Sequence, residues 1–148
     1  MHILLVHGPN LNLLGRRDAK TYGSITLAEI VSAVSTAAAA HGAQVEAFQS
    51  NHEGALIDWL QESAGNADAI IINPGGLSHY SVALRDALED TRLPVVEVHI
   101  SEPLAREEFR RRLITATAAR QVFSGRGLAG YLEAVELVTS GALPSKPA

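Results

Sequence analysis

The chain has 148 residues, a formal net charge of -4 and an apolar share of 47%, a composition typical of one soluble domain with a sizeable core. Its acidic balance provides no electrostatic footprint for nucleic acid, so we expect no DNA or RNA partner. The chain contains no cysteine, which excludes disulfides, thiolate nucleophiles and cysteine-bound metals.

No apolar run reaches the roughly 18 residues of a membrane span, and the first residues lack the basic and apolar segments of a secretory signal. We therefore expect a cytoplasmic protein without a membrane partner. Residues 1–142 are predicted to form a single domain, and residues 143–148 a flexible tail.

Short β-branched runs alternate with longer helical patterns along the chain. The predicted strands are His2–His7, Ala43–Gln49, Ala69–Asn73, Pro94–His99 and about Ala119–Phe123. The predicted helices are Ser24–His41, Gly54–Ala64, Ser78–Glu89, Leu104 to about Leu113, and a last helix from the glycines at 125–130 to about Thr139. Because the strands look apolar on both faces, this order predicts an α/β fold, a flavodoxin-like three-layer sandwich whose five-stranded parallel sheet carries helices on both faces.

The segment from Gly8 to Gly23, which we call the lid, joins the first strand to the first helix. It is much longer than the usual connection of about two to six residues. It carries two asparagines, two adjacent arginines and a tyrosine, groups suited to an oxygen-rich anion. Leu11, Leu13 and Leu14 are expected to be buried and to dock the first half of the lid onto the domain.

Polar clusters follow the predicted strands where each strand ends. They are the lid, Ser50–Gly54, Asn73–Gly76 with His79, and His99–Ser101. In parallel α/β sheets the ligand lies beyond the carboxyl ends of the strands, near the point where the strand order reverses. The sequence therefore predicts one site at this rim.

The sequence lacks the residues that several kinds of catalysis require. The only lysines are Lys20 in the lid and Lys146 in the tail, which leaves no buried lysine for a Schiff base. There is no HExxH metal motif, no Walker motif, no GxGxxG after strand one and no GxSxG nucleophile elbow. We expect neither a metal nor a cofactor, which leaves proton transfer on a small anionic substrate.

The rim contains a candidate base and a candidate acid. A tyrosine can act as a general base if a nearby cation favours its phenolate form. Arg17 precedes Tyr22 in the lid, and His99 ends a buried strand, where it could serve as the complementary acid. The residues alone leave this hypothesis open beside a rim that binds a ligand without catalysis.

Four segments in order resemble the type II 3-dehydroquinate dehydratases, small flavodoxin-like enzymes of the shikimate and quinate pathways. They read GPNLNLLGRRDAKTYG, QSNHEGALIDWL, INPGGLSHYSVALRDAL and PVVEVHISEPLAREEFR. The resemblance implies a hydro-lyase that removes water from 3-dehydroquinate by anti elimination through an enolate, giving 3-dehydroshikimate without metal or cofactor. It also implies a homo-oligomer, a dodecamer built from trimers. The alternative is a flavodoxin-like protein that binds small anions or acts as a scaffold without turnover.

The resemblance also implies roles for individual residues. Tyr22 corresponds to the general base, Arg17 to the arginine that holds it as phenolate, and Asn10 to the asparagine that positions a water against the enolate oxygen. His99 corresponds to the general acid, which Glu97 orients. The implied substrate-binding groups are Asn73, His79, Ile100, Ser101, Arg110 and, in the adjoining subunit's site, Asp86.

The chain departs from the family pattern in places that bear on the site. Asp18 and Ala19 stand where the family usually has Glu-Pro, and His7 stands where it commonly has asparagine. After Arg110 the usual His-His-Ser-Tyr stretch is absent. We interpret the charged run from Arg106 to Arg112 as a solvated helix face, in which only Arg110 is expected to bind substrate.

Overall fold

A computed structural model describes residues 1–145 and shows a five-stranded parallel sheet in the order β2-β1-β3-β4-β5. The strands are β1 His2–His7, β2 Gln44–Gln49, β3 Ala69–Asn73, β4 Val95–His99 and β5 Gln121–Ser124. The helices are α1 Ala19–Tyr22, α2 Leu27–Ala40, α3 Glu53–Ser63, α4 Val82–Asp90 and α5 Leu128–Ser140. The predicted flavodoxin-like three-layer sandwich is confirmed.

Helices cover both faces of the sheet because the central strands are apolar on both sides. Helices α2 and α5 pack over one face, which includes Ile3 and Ile71, and α3 and α4 cover the other, which includes Leu4 and Ile70. Each such side chain, fully buried, contributes about 1.5–3 kcal/mol. Leu143, the first residue of the predicted tail, packs against the α2 and α5 side, whereas residues 146–148 lie outside the described residues.

Strand β2 differs from the prediction that every strand is apolar on both faces. It lies at one edge of the sheet and leaves polar and apolar residues partly or fully exposed. Among residues 1–145, only β1 pairs with it, in a parallel register that sets His2 beside Gln44 and His7 beside Gln49. The β2 side of the sheet is therefore an open edge in the isolated chain.

Helix α2 begins at Leu27 rather than at the predicted Ser24, because its cap is a reciprocal pair of hydrogen bonds. Glu29 N–H donates to Thr26 Oγ1 at 3.2 Å, and Thr26 N–H donates to Glu29 Oε2 at 2.7 Å. This capping box satisfies two backbone donors that a helix end would otherwise leave without partners.

The predicted helix from Leu104 to Leu113 is wrong. The segment holds two 3-10 turns, Pro103–Ala105 and Glu108–Arg110, separated by residues with extended backbone. Arg106 there has φ -104° and ψ -160°, and its side chain enters the pocket described below. The helical propensity of this charged run is overridden by a long-range contact.

The stretch Ala19–Ala40 is long and apolar enough, by composition, to be a candidate membrane span. The structure interrupts it at residues 23–26, where the backbone leaves the helix between α1 and α2. Ile30, Val34 and Ala38 of α2 are fully buried in the domain core. The apolar face of α2 is therefore used for packing against the sheet.

The turns that follow β1 and β3 touch through their backbones. A Cβ atom at Gly8 would lie 2.2 Å from the carbonyl oxygen of Pro74, and one at Gly75, whose φ is +59°, would lie 2.9 Å from the carbonyl oxygen of Pro9. Gly8 N–H also donates to the carbonyl oxygen of Asn73 at 2.8 Å. Because the strand order reverses between β1 and β3, these two glycines let both loops converge on one site.

This close approach predicts that Gly8→Ala is destabilising. The added methyl group would overlap backbone atoms, so we expect a loss of at least about 2 kcal/mol in the free energy of unfolding. Gly54→Ala is the matched control, since Gly54 lies in α3 with nothing within 4 Å of its Cβ position, and it should be neutral or slightly stabilising. Urea denaturation measures both, and equal stabilities would contradict the prediction.

Candidate active site

A cavity of about 200 Å³ lies at the carboxyl ends of β1, β3 and β4, beneath the lid. Most of the side chains that the sequence analysis assigned to the site line this cavity. They are Asn10, Arg17, Tyr22, Asn73, His79, His99, Ile100, Ser101 and Arg110. The structure thus brings together residues from the lid, two strand ends and the segment after β4.

The first half of the lid docks on the domain through two of its three leucines. Leu11 and Leu14 are 2% and 4% exposed, whereas Leu13 is 42% exposed. The backbone forms a 3-10 turn at Leu11–Leu13, in which residues three apart lie on the same side. The expectation that Leu13 is buried is therefore wrong, and the turn geometry is the reason.

Asn10 enters the site from an unusual backbone conformation. Its φ of 69° is left-handed, a region that asparagine tolerates better than most residues. Its backbone N–H donates to Asn51 Oδ1 at 2.9 Å, and Gln49 Nε2 donates to the same oxygen at 3.2 Å. Gln49 at the end of β2 and Asn51 in the loop after it thus fix the first turn of the lid. The sequence did not indicate this role for either residue.

The second half of the lid contains the short helix α1, which was not predicted. Asp18 caps it by accepting from Thr21 Oγ1 at 2.6 Å and from Lys20 N–H at 3.3 Å. These hydrogen bonds, led by that of Thr21, lower the pKa of Asp18. The turn carries Tyr22 back toward the sheet, where its side chain packs against the core on the α2 and α5 side.

Two arginines converge on the hydroxyl of Tyr22. Arg17 Nη2 donates to Tyr22 Oη at 2.8 Å, and Arg106 Nη1 donates to the same oxygen at 2.9 Å. Both guanidinium groups also lie over the ring, with their central carbons 3.8 Å and 5.3 Å from its centroid. The hydroxyl of Tyr22 thus accepts hydrogen bonds from two charged side chains.

Arg106 is the site residue that sequence reasoning missed. It lies in the charged run that we interpreted as a solvated helix face, and nothing in that pattern distinguishes it from its neighbours. The contact joins residues 84 positions apart, and it also brings Arg106 Nη1 to 3.4 Å from Ser101 Oγ. The only local signal was Pro103, which limits where a helix can begin in this segment.

His99 is held by a buried carboxylate. The imidazole is 6% exposed, Glu97 is fully buried, and His99 Nε2 lies 2.6 Å from Glu97 Oε1. Because a carboxylate oxygen accepts, Nε2 carries a hydrogen and Nδ1 is the nitrogen left for proton exchange. Glu97 Oε1 thus holds the buried imidazole of His99 in one orientation.

His79 faces the cavity as a neutral group. Its Nδ1 lies 3.0 Å from the carbonyl oxygen of Arg112, and a carbonyl can only accept, so Nδ1 carries the hydrogen. Burial lowers the pKa of His79, an effect that the hydrogen bond to Arg112 opposes. At neutral pH, Nε2 is therefore an acceptor.

Asn73 is held from behind by two buried residues. Its Nδ2 lies 3.0 Å from Tyr131 Oη, and Tyr131 Oη lies 3.1 Å from His7 Nε2. Burial lowers the pKa of His7 to about 4 and raises that of Tyr131. Neither His7 nor Tyr131 was assigned a part in the site from the sequence, because β1 and α5 meet only in the folded chain.

The structure does not bring Asp86 into the cavity of its own chain. Asp86 lies on α4, its side chain is 55% exposed, and Oδ1 pairs with Arg85 Nη1 at 3.0 Å. Arg110, by contrast, lines the cavity while its Nε donates to Glu107 Oε2 at 2.8 Å. Any role of Asp86 in catalysis therefore requires a second copy of the chain.

The cavity combines a phenol between two cations, an imidazole on a carboxylate, and amide and guanidinium donors. Within residues 1–145, no group of three or more His, Asp or Glu residues could hold a metal ion. This set can remove a proton from carbon, protonate a leaving oxygen and bind an anion. The fold and the site define a flavodoxin-like α/β protein with a general acid–base pocket for a small polar anion.

Comparison with known proteins assigns the family. A family model described as dehydroquinase class II matches residues 1–139. A 3-dehydroquinate dehydratase of Corynebacterium glutamicum (strain R) is 51% identical over 138 residues, covering 93% of this chain and 95% of that protein. A catabolic 3-dehydroquinase of Verticillium alfalfae is 52% identical over 134 residues, covering 90% of this chain and 89% of that protein.

A solved structure agrees with these relatives. The crystal structure of a type II dehydroquinase from Butyrivibrio crossotus DSM 2876 matches with a TM-score of 0.90 and 42% sequence identity, covering 93% of this chain and 97% of that chain. The chain belongs to the class II dehydroquinase family.

The buried state of His7 predicts how stability depends on pH. Its pKa is lowered from 6.5 to about 4 in the folded chain, so between these values the unfolded chain binds more protons. The free energy of unfolding therefore falls as the pH falls from about 6.5 to 4, by up to about 3 kcal/mol from this group.

His7→Gln removes the titrating group and should flatten this part of the profile. Urea denaturation of the wild type and the variant, at several values between pH 7 and 4, measures the two slopes. Parallel profiles for the two proteins would contradict the assignment.

Proposed function

We propose that the protein removes water from 3-dehydroquinate to give 3-dehydroshikimate, by anti elimination through an enolate and without metal or cofactor. The names of the class II relatives support the substrate. The observation that carries the mechanism is the pair of guanidinium contacts to Tyr22 Oη, at 2.8 Å and 2.9 Å. A phenol oxygen held in this way can accept a proton from carbon.

In the first step, Tyr22 Oη takes a proton from the carbon next to the ketone, and the C–H electron pair forms the enolate. Asn10 lines the same cavity and serves to hold a water against the enolate oxygen. Such fixed donors stabilise charge that develops in the transition state. The cations that favour the phenolate also attract the anionic substrate into the pocket.

In the second step, the enolate re-forms the ketone and its electrons make a carbon–carbon double bond. The hydroxyl on the next carbon leaves, takes a proton from His99, and departs as water. Glu97 orients the imidazole for this transfer through the 2.6 Å contact between Glu97 Oε1 and His99 Nε2. Exchange with solvent then returns Tyr22 to the phenolate and His99 to the protonated form, so the cycle needs no other reactant.

Arg110 and Ser101 complete the proposed binding site. A guanidinium can bind a carboxylate through two parallel hydrogen bonds, which fixes the substrate ring for proton abstraction. Ser101 and Ile100 follow His99 directly and lie on the cavity wall. Asn73 at the end of β3 and His79 in the segment that follows it face the same space, where they can contact substrate hydroxyls.

Tyr22→Phe tests the assigned base. We expect the purified protein to convert 3-dehydroquinate with a rise in enone absorbance in the presence of EDTA, and the variant to lose at least about a hundredfold in kcat, the lower end for a general base. The fold should persist, since the ring still packs on the core. A near-normal rate for Tyr22→Phe would remove Tyr22 from the mechanism.

Arg106→Gln tests the second cation on Tyr22. Removing one charged donor from the oxygen should lower kcat by about 10²–10³, as for other donors that stabilise an anion in a closed site. Arg106→Lys keeps the charge and should retain more activity than the glutamine variant. Arg111→Gln is the matched control, because Arg111 is exposed. Steady-state kinetics that show no difference between the Arg106 and Arg111 variants would contradict the role.

We also propose that the chain assembles as a homo-oligomer, a dodecamer built from trimers, with Asp86 reaching a neighbouring site. Its support is the exposed position of Asp86, the open β2 edge, and the exposure of Val82, Leu104 and Phe109 at 55%, 57% and 65%. Light scattering should give twelve times the chain mass of 15.7 kDa, and a monomer would contradict the proposal.

A further inference from the structure

A row of three polar side chains runs from the core to the wall of the cavity. His7 ends β1, Asn73 ends β3 beside it in the sheet register, and Tyr131 reaches both from α5. They are 1%, 3% and 0% exposed. Only Asn73 lines the cavity, so the other two residues act on the site through it.

The direction of every hydrogen bond in the row follows from the atoms at its ends. Gly75 N–H lies 3.1 Å from Asn73 Oδ1, and a backbone N–H can only donate, so this atom is the amide oxygen. Asn73 Nδ2 therefore donates to Tyr131 Oη. The hydroxyl hydrogen of Tyr131 is left to donate to His7 Nε2, which requires a neutral His7 with its hydrogen on Nδ1.

Burial supports this arrangement because it keeps both rings of the row uncharged. It holds the pKa of His7 at about 4 and raises the pKa of Tyr131, so neither ring carries a charge near pH 7. The two rings also stack, with centroids 5.5 Å apart and planes 30° from parallel. Stacking fixes the position of Tyr131 Oη between its two partners.

Filling this part of the core with polar side chains costs more free energy than filling it with apolar ones. Burying a hydroxyl and an imidazole gives up hydration that apolar side chains of similar volume would not lose, and the hydrogen bonds only offset that cost. What the polar groups add is orientation, since buried side chains joined by hydrogen bonds hold one another in one arrangement. Here the oriented group is the amide of Asn73.

We propose that His7 and Tyr131 are positioning residues for the reaction, which lock the amide of Asn73 so that its second Nδ2 hydrogen is offered to the substrate. Asn73 is then a fixed donor, and it recognises an oxygen that presents a lone pair. Neutral His79 instead offers a hydrogen-bond acceptor at Nε2. Asn73 can therefore donate to the oxygen of a substrate hydroxyl, and His79 can accept the hydrogen of one. The identity of that substrate rests on the proposed function.

Kinetics in two backgrounds separate positioning from a structural role. Tyr131→Phe should raise KM about three- to tenfold, the effect of one neutral hydrogen bond, with a smaller change in kcat. In an Asn73→Ala background the same substitution should have no further effect, because the group that it orients is gone. Tyr80→Phe is the matched control, since Tyr80 is 67% exposed. An equal loss from Tyr131→Phe in both backgrounds would overturn the proposal.

Two variants at His7 test the acceptor at the end of the row. The side-chain amide of glutamine can place an oxygen where Nε2 lies, so His7→Gln should keep KM within about twofold of the wild type, whereas His7→Leu should resemble Tyr131→Phe. If His7→Leu fails to fold, the comparison of His7→Gln with Tyr131→Phe still decides the question. A KM for His7→Gln as high as that of Tyr131→Phe would contradict the role of the acceptor.

Neutron diffraction from crystals grown in deuterated solution tests the row without any assay. We expect deuterium on His7 Nδ1, on Tyr131 Oη toward His7, and on Asn73 Nδ2. Deuterium on His7 Nε2 would overturn the positioning proposal even in a fully active protein. A wild-type protein that does not convert 3-dehydroquinate would instead refute the proposed function, so the two failures are distinguishable.

Discussion

The contact of two guanidinium groups with one phenol oxygen is the constraint on which the site depends. Arg17 reaches Tyr22 Oη from inside the lid, and Arg106 reaches it from the segment after β4. Two cations held this close repel each other unless negative charge lies between them. In the proposed mechanism the phenolate of Tyr22 supplies that charge, and the Arg106 contact also joins the lid to the segment after β4. The Arg106 contact also explains why residues 104–113 do not form the predicted helix.

Buried residues and backbone contacts outside the cavity hold the other site residues in place. Glu97 fixes His99, and the loop after β2 fixes Asn10 through Asn51. Backbone contact at Gly8 sets the distance between the turns that follow β1 and β3. Sites built on rigid strand ends and supported by buried hydrogen bonds keep their geometry better than sites on loops alone.

The sequence could predict the fold because the central strands are long apolar runs, and their burial leaves little choice of layer order. It could also predict that Asn73 and His99 share a rim, since the carboxyl ends of parallel strands lie together. It could not predict Arg106 or Tyr131, whose partners lie 84 and 58 positions away. The predictions that Leu13 is buried and that residues 104–113 form a helix failed for a related reason. Local propensity suggested burial and helix, and turn geometry and a long-range contact decided otherwise.

Tyrosinate absorbance shows whether Tyr22 is ionised, as the proposed mechanism requires. The chain has three tyrosines, of which burial raises the pKa of Tyr131. The difference spectrum between wild type and Tyr22→Phe should be recorded at about pH 7.5, well below the ordinary phenol pKa of about 10, with an unreactive carboxylate analogue bound. We predict that the wild-type spectrum contains the absorbance band of one tyrosinate and that the spectrum of Tyr22→Phe does not. Identical spectra would contradict it.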